Sequence, residues 1–288
     1  MSEQLTQVTL ENAYNYSRFK GAYFLVGYSA RIDRTGQPFW EITLSDASDQ
    51  VKIYCRDESC IYSDLMPLSL VEVEVRTEMF GLQPHFRCKY IENSGQVLSK
   101  NGSLSQLPSS LCPIPGAVKM LAHVVSEIEN KSVRDFVNHV LLQPQVALRF
   151  IQCPASLRYH HNYQGGLLTH SLEVALMFLR NKSIRQLDKD VGVTAALLHD
   201  IGKTQTLTPD LNRTATGALV DHDKLTLELC STALEILAEK HSNISDHLRH
   251  IWTCESDGSR YGFKAKTNIA HLLRTYDRAS AFGEKATA

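Results

Sequence analysis

The stretch Leu197-Leu198-His199-Asp200-Ile201-Gly202-Lys203 sets a histidine and an aspartate side by side at the end of an apolar run. Residues 190–198 are almost all apolar and predict a buried helix. An imidazole and a carboxylate at such a position are costly to bury unless something compensates them, and a divalent metal does so. The stretch therefore predicts a metal-dependent hydrolase whose site lies at the end of a buried helix.

Two further candidate ligands lie on predicted helices upstream and downstream of this pair. His170 follows a glycine pair and shares a helical face with Val174, four residues later. Asp277 follows Leu273 by four residues on the apolar stripe of a predicted helix over 268–281. An acid on an apolar stripe needs a partner. Both side chains are therefore predicted to point inward.

These residues resemble a known family. The ordered set His170, His199-Asp200 and Asp277 matches the His…His-Asp…Asp signature of the HD phosphohydrolase superfamily, and residues 158–281 follow its all-helical pattern. The segment His160-His161-Asn162-Tyr163-Gln164-Gly165-Gly166-Leu167-Leu168-Thr169-His170 resembles the His-His…Gly-Gly-Leu-Leu-x-His signature of YhaM-type 3′-5′ exoribonucleases. It is also similar to HD domains of some conjugative relaxases. The resemblance implies an all-α HD domain that holds one or two divalent ions.

The ligand types limit the choice of metal and leave the number of ions open. Imidazoles and carboxylates suit Mn²⁺ first, with Fe²⁺, Co²⁺, Ni²⁺, Mg²⁺ and Zn²⁺ as alternatives. His222 falls where two-metal members supply an extra histidine. The related exoribonucleases carry Ser-His-His-Gly where this chain has residues 253–258, so Glu255 or His250 would have to complete a second site. Two ions bridged by Asp200 would activate a water and stabilise phosphoryl charge, whereas one ion would do part of this.

The candidate substrate contacts are basic residues near the signature. Lys203, three residues past Asp200, is predicted to hold a phosphate oxygen, with a solvated surface lysine as the alternative. By resemblance, the adjacent histidines would lie at the cleft mouth as substrate contacts or proton donors, unless one of them merely packs. The predicted substrate-binding residues here are Arg158, His160, His161, Lys203 and Arg213. The predicted catalytic residues are Asp200, Lys203 and His161.

The first third of the chain predicts a small β-barrel. Five short strands are predicted over 22–26, 39–44, 51–56, 70–76 and 85–91, separated by turn-like segments. Period-two alternation puts one set on the core face and another on the wet face: Val51, Ile53 and Cys55 against Lys52, Tyr54 and Arg56. This arrangement resembles an OB-fold, which precedes the HD domain in the same exoribonuclease family.

The wet face of this barrel is a candidate surface for single-stranded nucleic acid. Lys52, Tyr54 and Arg56, together with His85, Arg87 and Lys89, offer charge and a stacking ring; an ordinary solvated strand face is the alternative. The chain carries 30 Lys and Arg against 31 Asp and Glu, with a pI near 6.9. Any grip on RNA or DNA must therefore be local, and a small nucleotide would suit this balance equally well.

The predicted organisation is an OB-like barrel over 1–95, a linker over 96–113 rich in Ser, Asn, Gly and Pro, and an all-α HD domain over 114–288. The chain has no export-type start and no apolar run of membrane-spanning length, and its seven cysteines are scattered and odd in number. These features predict a cytoplasmic protein without a membrane partner and leave its oligomeric state open.

The predicted activity is metal-dependent hydrolysis of phosphodiester bonds in single-stranded RNA or DNA, from the 3′ end. One alternative is a nucleotidase or cyclic-nucleotide phosphodiesterase in which the barrel is a scaffold. Another is an accessory nucleic-acid-binding protein of a mobile element with a partly degenerate HD site. The missing Ser-His-His-Gly favours the accessory protein, and the retained ordered set, with Lys203, argues against it.

Overall fold

The computed structural model describes residues 7–81, 83–94, 103–255 and 262–283. Contacts divide the chain into two compact units, Met1–Leu111 and Cys112–Ala288. The first unit is a β-barrel and the second is helical.

Five strands build the first unit. They are β1 (Arg18–Ile32), β2 (Pro38–Ser45), β3 (Gln50–Cys55), β4 (Ser69–Phe80) and β5 (Gln83–Asn93). The strands close into a barrel in the order β1-β2-β3-β5-β4, and the β1–β4 pair completes the ring. All neighbours are antiparallel except β3 and β5, which run parallel. This topology confirms the predicted OB-like barrel.

The first strand is three times as long as predicted, with 15 residues. Its residues 18–25 pair with β4 and residues 24–32 pair mainly with β2, with a register shift between Leu25 and Gly27. Only the middle of the strand, at Tyr23, Phe24 and Leu25, is continuously buried. The exposed ends are held by backbone pairing to two neighbours, which a hydropathy pattern cannot reveal.

The alternation predicted for the strands is confirmed. The side chains of Val51, Ile53 and Cys55 are buried, and those of Lys52 and Arg56 are exposed. The rings of Phe19 and Phe86 meet edge to face in this core, with their centroids 5.6 Å apart. The opposite face of β3 is therefore available to solvent.

Residues 103–111 lie in the barrel unit, although the sequence assigned them to the linker. Leu104 and Leu107 are buried, and the amide of Ala47 donates to the carbonyl of Ser105. Burying a leucine contributes about 1.5–3 kcal/mol, which offsets part of the entropy lost when this segment is ordered. A composition rich in Ser and Pro conceals these two anchors. The rest of the predicted linker up to residue 102 lies outside the described residues.

The helices of the second unit are α1 (Ala117–Ser126), α2 (Lys131–Leu141), α3 (Ala147–Gln152), α4 (Gly166–Arg180), α5 (Gln186–Leu198), α6 (Lys203–Thr206), α7 (His222–Thr253) and α8 (Asn268–Gly283). Helix α5 contacts α2, α4, α7 and α8, and its residues 190–198 are all buried, as predicted. Helix α7 breaks at His241, and the Ser245 hydroxyl donates to the Leu234 carbonyl, so its two halves fold against each other. In the described ranges, no helix is long and apolar enough to cross a membrane.

Two glycines permit the close approaches that position the end of α5. A Cβ on Gly192 would lie 2.3 Å from the Phe178 ring, so a side chain there would push α4 away from α5. A Cβ on Gly202 would lie 2.0 Å from the His222 carbonyl oxygen. The turn after α5 therefore meets the start of α7 only because residue 202 lacks a side chain.

Candidate functional site

Helices α4, α5 and α8 bring three of the predicted ligands together. The Nε2 atom of His170 lies 3.2 Å from Nε2 of His199 and 3.1 Å from Oδ1 of Asp277. One candidate ligand atom from each of these residues lies within 4.8 Å of the others. We call His170, His199 and Asp277 the inner cluster.

A second group of ligand atoms adjoins the first. Oδ1 of Asp200 lies 3.2 Å from Nε2 of His222, and Oδ1 of Asp223 lies 3.1 Å from the same nitrogen. We call Asp200, His222 and Asp223 the outer cluster. The second oxygen of Asp200, Oδ2, lies 3.5 Å from Nε2 of His199. Asp200 therefore faces each cluster with a different carboxylate oxygen.

The chemistry of these groups fits a divalent cation. Nδ1 of His199 donates to the carbonyl oxygen of Ala196 at 2.8 Å, which leaves Nε2 as the ligand atom in the cluster. The remaining donors are further imidazole nitrogens and carboxylate oxygens, the mixture that Mn²⁺ and its neighbours accept. Both clusters could therefore hold a metal ion.

The charges of the site follow from burial and close pairing. Burial alone raises the pKa of the Asp200 carboxyl, but the nearby Lys203 and His199 hold it well below its usual range. Burial likewise opposes ionisation of Asp277, but its close contacts with the His170 and His199 rings lower its pKa. Burial lowers the pKa of His199, but the Asp200 and Asp277 carboxylates outweigh this and raise it to about 9. The carboxylates therefore stay ionised, as metal ligands must be.

Lys203 is bound to the site and is not a surface lysine. Its Nζ lies 2.5 Å from Oδ2 of Asp200, and only 14% of its side chain is exposed. The ammonium group thus neutralises and orients Asp200. Its predicted contact with phosphate stays a prediction.

The histidine pair before α4 borders the inner cluster. His161 is buried and adopts a left-handed backbone with φ of 53°, an uncommon conformation for a residue other than glycine. Its Nδ1 lies 3.2 Å from Nδ1 of His160, and ring nitrogens of both residues lie within 4.8 Å of a ring nitrogen of His170. The structure therefore places the pair beside a predicted ligand, with His161 buried, and the predicted substrate contacts of the pair stay predictions.

Three polar residues at the site were not foreseen. Glu173 lies on α4 one turn after His170, with its Oε2 atom 3.2 Å from Nε2 of His161. Ser280 lies one turn after Asp277 on α8, and Asp223 follows His222 directly. Positions three residues apart share a helical face, so Glu173 and Ser280 were detectable as polar neighbours of predicted ligands.

The structure does not bring Glu255 into either cluster. Its backbone amide donates to the Phe263 carbonyl at 2.7 Å, its side chain packs close to Gly262, and no metal-ligating group found among the described residues contains it. His250 accepts a hydrogen bond at Nε2 from the Lys266 amide. Asp223 occupies the place beside His222 that Glu255 was expected to fill. Residues 256–258, part of the segment that lacks the Ser-His-His-Gly motif, lie outside the described residues.

The two candidate arginines differ from the histidines in their surroundings. Arg158 is exposed on the segment before His160. Arg213 donates from Nη1 to the Gly217 carbonyl at 2.9 Å, so it closes its own loop. Their predicted phosphate contacts stay predictions.

The candidate surface for nucleic acid lies on the solvent-facing side of β3 and β5. The parallel pairing sets Tyr54 opposite Arg87, and the Tyr54 ring centroid lies 5.9 Å from that of His85. A cleft of about 390 Å³ opens beside them. Its lining residues are Tyr14, Thr43, Gln50, Val51, Lys52, Tyr54, Pro84, His85 and Phe86. Tyr14 was not foreseen, because it comes from a 3₁₀ turn outside the strands.

Two cations of this face, Lys52 and Arg56, are paired with acids. Nζ of Lys52 lies 3.0 Å from Oε1 of Glu41, and Nη1 of Arg56 lies 2.5 Å from Oδ2 of Asp33. Such pairs reduce the local positive field. The face therefore offers rings for stacking more directly than it offers free charge.

Comparisons with known proteins agree with this geometry. A family model for the HD domain matches residues 167–285, which contain both clusters. The helical unit therefore contains an HD domain. This domain is that of a metal-dependent nuclease or phosphohydrolase.

The likeness to curated proteins extends beyond the HD domain. The chain is 25% identical to the 3′-5′ exoribonuclease YhaM of Bacillus velezensis over 248 residues, which cover 80% of this chain and 76% of that protein. It is 24% identical to the 3′-5′ exoribonuclease YhaM of Bacillus licheniformis over 251 residues, with the same coverage. This HD protein is therefore similar to YhaM exoribonucleases over most of its length.

Proposed function

We propose that this HD protein is a divalent-metal-dependent exonuclease that shortens single-stranded RNA from its 3′ end. The observation that carries the proposal is the pair of clusters that share Asp200. The similarity to 3′-5′ exoribonucleases supports the substrate and the polarity.

Each cluster would hold one cation, with Mn²⁺ as the preferred ion. When bound, such ions stabilise developing phosphoryl charge and lower the pKa of a water molecule. Asp200 orients one oxygen toward each cluster, and Lys203 holds that carboxylate in place. The same ammonium group would also meet a phosphate oxygen of the substrate.

His160 and His161 would act on the substrate beside the inner cluster. The ring of His160 is partly exposed, whereas His161 is buried behind it. His160 is therefore the candidate for contact with the terminal nucleotide or for proton transfer to the leaving oxygen. His161 supports it through the Nδ1–Nδ1 contact.

The barrel would bind the strand mainly by stacking. Tyr54 and His85 offer adjacent rings along the cleft, and a stacked base contributes roughly 1–3 kcal/mol. Lys52 and Arg56 would have to exchange a carboxylate for a phosphate, so their net gain is smaller. We therefore expect affinity for RNA to depend more on Tyr54 than on either cation.

The test is to incubate the full chain with Mn²⁺ and 5′-labelled single-stranded RNA, single-stranded DNA and mononucleotides, with a chelator as the negative control. A ladder that shrinks from the 3′ end of RNA is expected. Release of phosphate from mononucleotides alone would indicate the nucleotidase, and binding without any product would indicate an accessory protein.

A matched pair of tyrosine variants tests the role of the barrel. Tyr54→Ala is expected to reduce the binding free energy for long RNA by about 1–3 kcal/mol, the contribution of one stacked base. Tyr62→Ala is the control, because Tyr62 is exposed on the barrel but does not line the cleft. Equal binding by the two variants would exclude stacking on Tyr54.

A further inference from the structure

A buried serine connects the inner cluster to an acid outside it. Ser280 lies on α8 and is almost fully buried. Its Oγ lies 2.6 Å from Oε2 of Glu173 and 2.9 Å from Nδ1 of His170. The three side chains therefore form a continuous hydrogen-bonded path from α4 through α8 and back to α4.

The direction of these hydrogen bonds follows from their chemistry. An ionised carboxylate only accepts, so the Ser280 hydroxyl donates its one proton to Glu173. Ser280 can then only accept from His170, whose proton must lie on Nδ1. The lone pair of His170 is thereby left on Nε2, the atom that faces His199 and Asp277.

The other inner histidine reaches the same state by a different route. The Nδ1 proton of His199 is held by the backbone carbonyl of Ala196, which no substitution removes. His170 has a side-chain pair instead. A substitution can therefore remove the partner that orients the His170 ring, but not the one that orients His199.

The same acid also contacts the histidine pair. Oε2 of Glu173 lies 3.2 Å from Nε2 of His161. The backbone of His161 is fixed by close packing, since a Cβ on Gly166 would lie 2.1 Å from the His161 carbonyl oxygen. The other ring nitrogen of His161 meets His160. The Oε2 atom of Glu173 therefore contacts His161 directly and is connected to His170 through Ser280.

We propose that Glu173 is a positioning residue that acts in two directions. Through Ser280 it fixes the tautomer of His170 that can bind a cation, and through His161 it orients His160 toward the substrate. The proposal rests on the proposed function, since it takes His170 as a ligand.

The test measures the affinity of the full chain for Mn²⁺ by titrating metal-stripped protein. Ser280→Ala is expected to raise the Kd of the tighter ion by roughly 10–100-fold, the usual effect of losing an outer partner of a ligand. Glu173→Gln is expected to raise it too, because an amide can donate as well as accept and no longer fixes the direction. The double variant should bind no more weakly than Ser280→Ala alone, since Glu173 reaches His170 through Ser280.

We call the hydrogen-bonded path from Glu173 through Ser280 to His170 the relay. Two further serine variants separate the effect of the relay from that of simple packing. Ser171→Ala is the matched control: Ser171 is buried next to His170, and its hydroxyl has no hydrogen-bond partner among the described residues. Its Kd should equal that of the wild type. Ser280→Thr retains the hydroxyl and should bind Mn²⁺ almost as the wild type does.

The second arm of the proposal, in which Glu173 acts on His160 through His161, is tested by the kinetics. At saturating Mn²⁺, Ser280→Ala should regain most of its kcat. Glu173→Gln should keep a lowered kcat with a nearly unchanged KM for RNA, because His161 has lost its acidic partner. Equal recovery by both variants would overturn the second arm.

The possible failures are distinguishable. Wild-type protein that binds no Mn²⁺ would overturn the proposed function and the relay together. Wild-type protein that binds Mn²⁺, with an unchanged Kd in Ser280→Ala, would overturn the relay alone. A double variant whose Kd rises by the product of the single effects would show that Glu173 does not act through Ser280. A Ser280→Thr variant as weak as Ser280→Ala would show that the hydroxyl is not the cause.

Discussion

The inner and outer clusters share Asp200 but differ in how the fold supports them. In the inner cluster, the His170 side chain is fully buried and that of Asp277 is 43% exposed. In the outer cluster, the side chains of His222 and Asp223 are 29% and 64% exposed. The inner residues come from three packed helices, and the outer histidine begins α7.

This difference predicts unequal metal sites. Folding has already desolvated and oriented His170 and His199, so a cation there would bind with little further cost. The ring of His222 lies beside the carboxylates of Asp200, Asp221 and Asp223, and the last two are exposed. The inner ion should therefore be retained on purification and the outer ion should exchange.

Asp200→Asn should have the largest effect, because it removes the carboxylate that faces both clusters. We expect loss of both ions and a fall in activity beyond the roughly 100-fold that outer-partner changes cause. Elemental analysis and RNA degradation would measure this. Full metal occupancy in the variant would exclude Asp200 as the shared ligand.

His170→Ala and His222→Ala compare the clusters directly. His170→Ala should remove the tightly bound ion, whereas His222→Ala should leave that ion in place and abolish only the exchangeable one. Both should impair hydrolysis, since two ions stabilise phosphoryl charge better than one. Mn²⁺ titration of each variant would show which affinity is lost, and identical losses would refute the distinction.

Asp223→Asn and Glu255→Gln test which acid accompanies His222. Because Asp223 lies 3.1 Å from the ring of His222 and Glu255 lies in neither cluster, only Asp223→Asn should weaken the outer ion. The expected change is severalfold, since the residue is exposed and water can replace it. A weaker outer ion in Glu255→Gln would restore the sequence-based prediction.

The pH dependence of the inner site gives a further prediction. The carboxylates raise the pKa of His199 to about 9 despite its burial, so in metal-stripped protein this ring carries a second proton, on Nε2, at neutral pH. A cation must displace that proton, so inner-site affinity should rise from pH 7 to about pH 9 and then level off. Calorimetry in buffers of different ionisation enthalpy would detect the released proton; a flat profile would contradict this.

The same shift has a consequence for stability. A raised pKa in the folded state stabilises the protein fully below the unfolded value of about 6.5 and less as the pH passes through the folded value. Metal-stripped protein should therefore lose thermal stability between about pH 6.5 and pH 9. Loss of stability confined to pH values below this range would contradict the assignment.

The sequence predicted those parts of the fold that have a periodic signal. Alternation identified the core face of β3, and the apolar run before His199 identified α5. The motif also identified the side chains that form the inner cluster, although their binding of a metal stays a prediction. The HD family match confirms that domain.

The parts that escaped prediction depend on tertiary pairing. Nothing in the local pattern shows that Glu41 and Asp33 neutralise Lys52 and Arg56, because these acids lie on another strand or in a turn. Ser280 and Glu173 lie 107 residues apart and meet only when α4 packs on α8. Asp223 lies in the first turn of α7, where an acid is stabilised by the helix dipole, so its position in the sequence did not mark it as a ligand.

The most direct test of unequal metal sites is anomalous diffraction from crystals soaked in low and then high Mn²⁺. We predict one peak at low Mn²⁺, bounded by His170, His199, Asp200 and Asp277, and a second peak beside Asp200, His222 and Asp223 at high Mn²⁺. A single peak at every concentration, or an outer site that fills first, would contradict the account.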